Sequence, residues 1–213
     1  MTSGAGPRPP LLIACALRIE QAALRSAGRG GAPDGALLRT GMGPRAAERA
    51  VARALRRPGM ERAAVLATGF CAGLLPGMHP GDLVVAEETR DPRGAVACTG
   101  TALLAEALAR AAPGRTVHTG ALTGSDHVVR GQERAQLRAT GAIAVDMESA
   151  ATLWTAHDDG GRPVAAVRVI VDAPEHELVR IGTVRGGISA FRVLRAVRPA
   201  FYDWHRSLLL PRR

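Results

Sequence analysis

The sequence predicts an α/β fold: a single three-layer domain around a mostly parallel, mixed central sheet. Three observations predict it. Short apolar runs rich in Val, Ile and Leu alternate with stretches of helical periodicity along the chain. The 213 residues suit one large domain better than two. Hydrophobic residues make up 46%, enough for a sizeable core, while aromatics at 3% leave that core to Ala, Val, Leu and Ile.

The elements follow in order. Residues 1–9, within "MTSGAGPRPP", read as a flexible tail, and 10–213 as the domain. "PLLIACAL" (10–17) is a strand followed by the helix "RIEQAALRSAG". "GALLRTG" (35–41) is a strand followed by the helix "PRAAERAVARALRR". "AAVLATG" (63–69) and "DLVVAEETR" (82–90) are strands, and "TALLAEALARAA" is a helix stopped by Pro113-Gly114. "TVHTGALTG" is a strand, "QERAQLRAT" a short helix, "AIAVDM" a strand and "ESAATLWTAHD" a helix. "PVAAVRVIVD" (163–172) is the last strand, and the C-terminal stretch is helical with an interruption at Pro199.

Charge and cysteine usage narrow the function. The formal net charge is +9, and its positive side is all Arg, in step with a composition that also favours Ala, Gly and Pro. A basic balance suits an anionic partner, but aromatics interleaved with the basic residues, as single-strand binding requires, are mostly missing. No nucleic-acid partner is expected. Cys15, Cys71 and Cys98 are widely spaced, without CxxC or Cys/His metal spacing. They read as buried small residues of a cytoplasmic protein, with no metal and no disulfide framework. "LIAC" (12–15) resembles a lipoprotein processing site, but the apolar stretch before Cys15 is too short for a signal. No run approaches the roughly 20 apolar residues of a membrane span.

In parallel sheets ligands bind beyond the carboxyl ends of the strands. Those ends carry Glu20, "GMG", "GFCAG", "GSD" (124–126), "DMES" and Asp172. Buried carboxylates without partners are costly, so this gathering of acids and glycine turns implies a polar ligand. "TGMGPRAA" (40–47) has the G-x-G-x-x-A form between a strand and a helix. The next strand ends without the acid that a dinucleotide site needs. An anion at the helix start, helped by Arg45, and a plain tight turn both remain open. "ATGFCAGLLPGMHPGDLVVAEETR" (67–90) alone gives only strand, turns and strand.

"TGFCAGLLPGMHPGDLVVAEETR", "AVDMESAA" and "VRVIVDA", in this order and at these separations, resemble the nucleoside phosphorylase superfamily, which includes methylthioadenosine/S-adenosylhomocysteine nucleosidases. The resemblance covers about residues 10–200, and its most specific element is the pair Met147-Glu148. The compact length, "TGSDHVV" and the Arg-rich C-terminal helix look most like the hopanoid-associated branch, linked to removing adenine from adenosylhopane.

The resemblance implies roles. Glu148 holds the ribose hydroxyls and Met147 packs against the sugar. Asp172 protonates the leaving purine. Glu20 matches the glutamate with which nucleosidases activate water. Val128 and Val129 fall on the segment whose backbone reads the base, and Gly69 and Phe70 on the turn beside the substrate. Asp146 stands where a second glutamate is common and is read as structural. His127 lies beside the base segment, and His79 sits in a solvated turn.

These residue types suit the chemistry. Breaking an N-glycosidic bond builds positive charge on the sugar and negative charge on the base. An acid that protonates the base contributes about 10²–10⁴-fold. Asp172 must then be protonated or share a proton, so its surroundings should favour the neutral carboxyl. Glu148 must be ionised to accept two strong hydroxyl hydrogen bonds.

Departures from the family matter. Hexameric phosphorylases hold phosphate with an Arg and a Ser around the third strand's glycine turn; here Ala67 and Phe70 stand in that stretch. Phosphate, the expected co-substrate, would have to use Gly43, Arg45 and Arg18. Phosphorolysis with release of adenine is the first reading. A hydrolytic nucleosidase is the alternative, and a non-catalytic nucleoside binder the alternative of another class. No organic cofactor is implied. The short loop after "EETRDPRG" could leave the sugar's 5′ side open to a bulky group such as a lipid tail.

The C-terminal segment spaces Ile181, Val184, Ile188, Phe191, Leu194, Phe201, Trp204 and Leu208 at helical intervals. Arg180, Arg185, Arg192, Arg195, Arg198 and Arg206 decorate it against the single acid Asp203. It reads as a core-packing helix with a solvated basic face, or as a peripheral contact with an anionic membrane. The superfamily resemblance also implies a homo-oligomer.

Overall fold

The computed structural model describes residues 9–25, 35–158, 161–174 and 183–209, with the side chains of 183–188 excepted. The expected tail therefore lies outside the described residues apart from Pro9, as do Arg180 and Ile181. The side chains of Val184, Arg185 and Ile188 are likewise not described.

Among the described residues, eight strands and six helices follow in chain order. They are β1 (Leu11–Cys15), α1 (Arg18–Arg25), β2 (Gly35–Arg39), α2 (Pro44–Leu55), β3 (Ala64–Gly73), β4 (Leu83–Asp91) and β5 (Gly94–Ala97). Then come α3 (Thr101–Ala111), β6 (Val117–Gly124), α4 (Gln132–Ala139), β7 (Ala142–Asp146), α5 (Ser149–Asp158), β8 (Val164–Asp172) and α6 (Thr183–Leu208).

All eight of these strands belong to one sheet, mixed but mostly parallel. The pairs β1–β2, β1–β3, β3–β8, β4–β6 and β6–β7 are parallel, and β3–β7, β4–β5 and β4–β8 are antiparallel. The sheet closes on itself. β8 bridges β3 to β4, and the end of β3 crosses to β7, so β3, β8, β4, β6 and β7 form a ring.

Sequence and structure differ at three places here. β3 runs on through "GFCAG" to Gly73, because its last residues pair with β7 on one side and β8 on the other. β5, unmarked in the sequence, forms a hairpin with β4. α6 passes through Pro199 instead of breaking there, with Pro199 on its exposed face.

Successive strand residues point to opposite faces, and two helical layers take them up. Leu11, Ile13, Leu66, Val85 and Val167 meet Leu24 of α1, Leu104 and Leu108 of α3, and Leu194, Phe201 and Trp204 of α6. Leu12, Val65, Ala67, Val84 and Ala166 meet Val51 and Leu55 of α2 and Leu153 of α5. α6 is thus a core helix whose exposed side carries Arg192, Arg195 and Arg206. Trp204 is anchored as well: its indole Nε1 donates to Thr99 O at 2.7 Å. No helix among the described residues is long and apolar enough to cross a membrane.

Candidate active site

A cavity of about 180 Å³ opens at the C-terminal ends of β1, β3, β7 and β8. Glu20, Phe70, Val128, Val129, Met147, Glu148 and Asp172 all line it, and so do Met42, Cys71, His127, Arg134 and Asp146.

Glu20 stands in the first turn of α1 and is only 2% exposed. Its Oε2 accepts hydrogen bonds from the amides of Ala16 at 2.9 Å and Leu17 at 2.8 Å, and its Oε1 from the amide of Phe70 at 2.8 Å. Gly69 does not line the cavity but makes this arrangement possible. A Cβ there would stand 2.7 Å from Arg168 Nη1 and closer still to Glu20 Oε1.

Glu148 ends the β7–α5 connection. Its Oε1 accepts a hydrogen bond from Gly43 N at 2.7 Å, at the N-cap of α2. The "GMGPR" turn thus meets a carboxyl of the chain itself at the start of α2. Burial pushes the Glu148 carboxyl above its ordinary value; Arg168 opposes the shift and Asp146 adds to it.

Arg168 lies beneath both glutamates and is 1% exposed on β8. Its Nε pairs with Asp146 at 2.5 Å and donates to Ser149 Oγ at 2.8 Å, while Nη1 donates to Thr68 O at 2.8 Å. Burial works against its charge, but Asp146, then Glu148 and Glu20, more than offset it and raise its pKa above the ordinary arginine value. Asp146 also receives the amide of Ser149 at 3.1 Å, which caps α5.

Asp172 closes β8 and is met by Arg134 of α4. One guanidinium nitrogen bonds Asp172 Oδ2 closely and the other reaches Oδ1 at 3.4 Å, both groups being buried. Surroundings that favour a neutral carboxyl were expected at Asp172. The structure brings the Arg134 guanidinium against it. Arg134 Nε also donates to Val129 O at 3.3 Å.

Val129 is buried and Val128 exposed. His127, at the rim, hydrogen-bonds Asp126 and then Glu133, and these push its pKa upward. His79 is exposed in its turn, and its backbone amide donates to Asp82 at 3.0 Å. Of the three residues expected to hold phosphate, only Gly43 touches the site, through Glu148. Arg18 and Arg45 are exposed and outside the lining. Buried Cys15 and half-buried Cys98 have thiols pushed up to about 12, chiefly by burial.

Sequence reasoning missed Arg134 and Arg168. Arg168 carried a usable signal, because a single charge inside the apolar run "VAAVRVIV" needs buried counter-charges. Arg134 carried none, since its helix is mostly polar and reads as a solvated element.

The ringed sheet, with acids gathered at its strand ends, defines an enzyme of the nucleoside phosphorylase and nucleosidase class. The description of the Phosphorylase superfamily matches residues 27–197, and the chain belongs to that superfamily. Solved structures agree on the fold. The 5′-methylthioadenosine/S-adenosylhomocysteine nucleosidase of Neisseria meningitidis, bound to methylthio-immucillin-A, is 23% identical, with TM-score 0.74 over 92% of this chain and 98% of that one. The S-adenosylhomocysteine nucleosidase of Streptococcus pyogenes is 20% identical, with TM-score 0.73 over 91% and 98%. The futalosine hydrolase of Helicobacter pylori is 15% identical, with TM-score 0.75 over 91% and 97%. No curated protein matches the chain significantly.

Proposed function

We propose that this enzyme hydrolyses the N-glycosidic bond of an adenosine derivative, with water and not phosphate as the nucleophile. The charge of the cavity lining carries the choice. Glu20, Asp146, Glu148 and Asp172 line it with Arg134, which is already paired with Asp172, and His127 at the rim, while Arg168 beneath is committed to Asp146 and leaves no cation free for a phosphate among the lining residues. A phosphate anion would enter a cavity whose carboxylates repel it. A water molecule would find acceptors there and, in Glu20, a carboxylate held rigidly by three amides.

Roles follow from position. Glu148 accepts the ribose hydroxyls, and Met147 packs on the sugar. The segment at Val128 and Val129 reads the base, and Asp172 gives it a proton as it leaves. Glu20 orients and activates water. The electrons of the broken bond pass to the base, and the hydroxyl of the water ends on the sugar's anomeric carbon.

The rim favours a substrate with an apolar 5′ group. Met42 and Val128 line the cavity yet are 67% and 60% exposed. A long hydrocarbon substituent would cover both, which supports a lipid-tailed nucleoside such as adenosylhopane. The soluble nucleosides of the solved neighbours are the smaller alternative.

The test is adenine release from adenosylhopane and from methylthioadenosine, each with and without phosphate. Release that ignores phosphate and gives free sugar is expected. Release that requires phosphate and yields a sugar phosphate would overturn the choice of nucleophile. It would also require Arg18 and Arg45 to turn inward.

A further inference from the structure

Resting on the reading of Asp172 as the leaving-group acid, we propose that Arg134 is its positioning residue. Arg134 locks the carboxylate to the base-reading segment and stabilises it as it gives up its proton.

Two contacts of one side chain carry this. The guanidinium grips both oxygens of Asp172 at the end of β8, and Nε holds the carbonyl of Val129. Arg134 is 8% exposed although it stands on a short helix that is otherwise mostly exposed. Burying an arginine there costs desolvation that only a well-aligned acid offsets. The segment that reads the base and the group that protonates it thus form one rigid unit.

The chemistry gives the pairing a direction. Asp172 takes a proton from solvent and passes it to a ring nitrogen of the base as the glycosidic bond breaks. The bonding electrons go to the base, and Asp172 returns to carboxylate. Charge therefore grows on Asp172 toward the transition state, beside a fixed guanidinium, and an interaction stronger there than in the ground state accelerates the step. Other charges facing the cavity are Glu20 on α1, Asp146 and Glu148 at the β7–α5 junction, and His127 before α4. Arg168, on β8 itself, is committed to Asp146.

The experiment compares wild type, Arg134→Lys and Arg134→Met on two substrates. One is methylthioadenosine, whose base needs a proton to leave. The other is p-nitrophenyl riboside, whose leaving group needs none. On methylthioadenosine, Arg134→Met is expected to lower kcat by about 10–100-fold. Arg134→Lys should recover part of the loss. On p-nitrophenyl riboside both variants should lose clearly less than on methylthioadenosine. Equal losses on the two substrates, with no recovery in Arg134→Lys, would overturn the proposal and leave Arg134 a structural residue. Arg134→Lys keeps the charge and carries the same comparison if Arg134→Met does not fold. Asp172→Asn separates the two readings. If it leaves adenine release intact, the acid is misassigned; if it abolishes release while the Arg134 variants behave as wild type, only the role of Arg134 fails.

Discussion

Glu148 Oε1 accepts a hydrogen bond from the amide of Gly43 at 2.7 Å, joining residues 105 apart in sequence. One carboxylate thereby caps α2 and faces the cavity where a sugar would lie. That cap and the proposed sugar-binding role conflict, because burial lifts its pKa while hydroxyl binding would need its charge.

That conflict predicts a trade of stability against binding. A carboxyl whose pKa rises on folding is held more tightly by its proton in the folded chain. Its contribution is full at low pH and is lost as pH rises from the ordinary glutamate value of 4.5 through the folded one. Glu148→Gln keeps an oxygen for Gly43 and removes the charge. The variant should melt above wild type at pH 7, with the gap closing toward pH 4. KM for the nucleoside should rise by about 10–100-fold, as loss of charge-assisted hydrogen bonds implies. Thermal melts across pH check the first half; a variant less stable than wild type at pH 7 would contradict it.

Gly69 predicts a larger effect in the opposite direction. Its φ is +134°, where a side chain is strained, and a Cβ would collide with Glu20 and Arg168 together. Gly69→Ala should cost about 1–3 kcal/mol from backbone strain alone, and more if Glu20 is displaced. Urea unfolding measures the cost. Because Glu20 must move, kcat should fall as well, even in the fraction that folds. A variant with unchanged midpoint and unchanged kcat would show that the turn relaxes freely.

The contrast between residues explains what the sequence disclosed. Glu20, Glu148 and Asp172 were legible as acids at the ends of apolar runs, because strand ends of a parallel sheet share an edge. The sheet's closure was not legible, since β8 lies antiparallel to β4 through long-range pairing that no local pattern encodes. The extension of β3 was hidden because "GFCAG" reads as a turn until β7 and β8 supply partners. Arg134 was hidden by its polar helix. Its burial depends on where Asp172 arrives, 38 residues later.

Arg168 gives the sharpest stability prediction. It is the cation that Asp146, Glu148 and Glu20 share in the interior. Replacing it with methionine keeps much of its volume but leaves three buried carboxylates without it. Removing one partner of a buried ion pair costs about 3–5 kcal/mol, so Arg168→Met should be strongly destabilised in urea at pH 7. Adding Asp146→Asn removes the nearest uncompensated charge while retaining an oxygen to cap α5. The double variant should therefore be more stable than Arg168→Met alone, and the double-mutant cycle should show clear coupling. Simple additivity would mean that Glu20 and Glu148, and not Asp146, are what Arg168 holds in place.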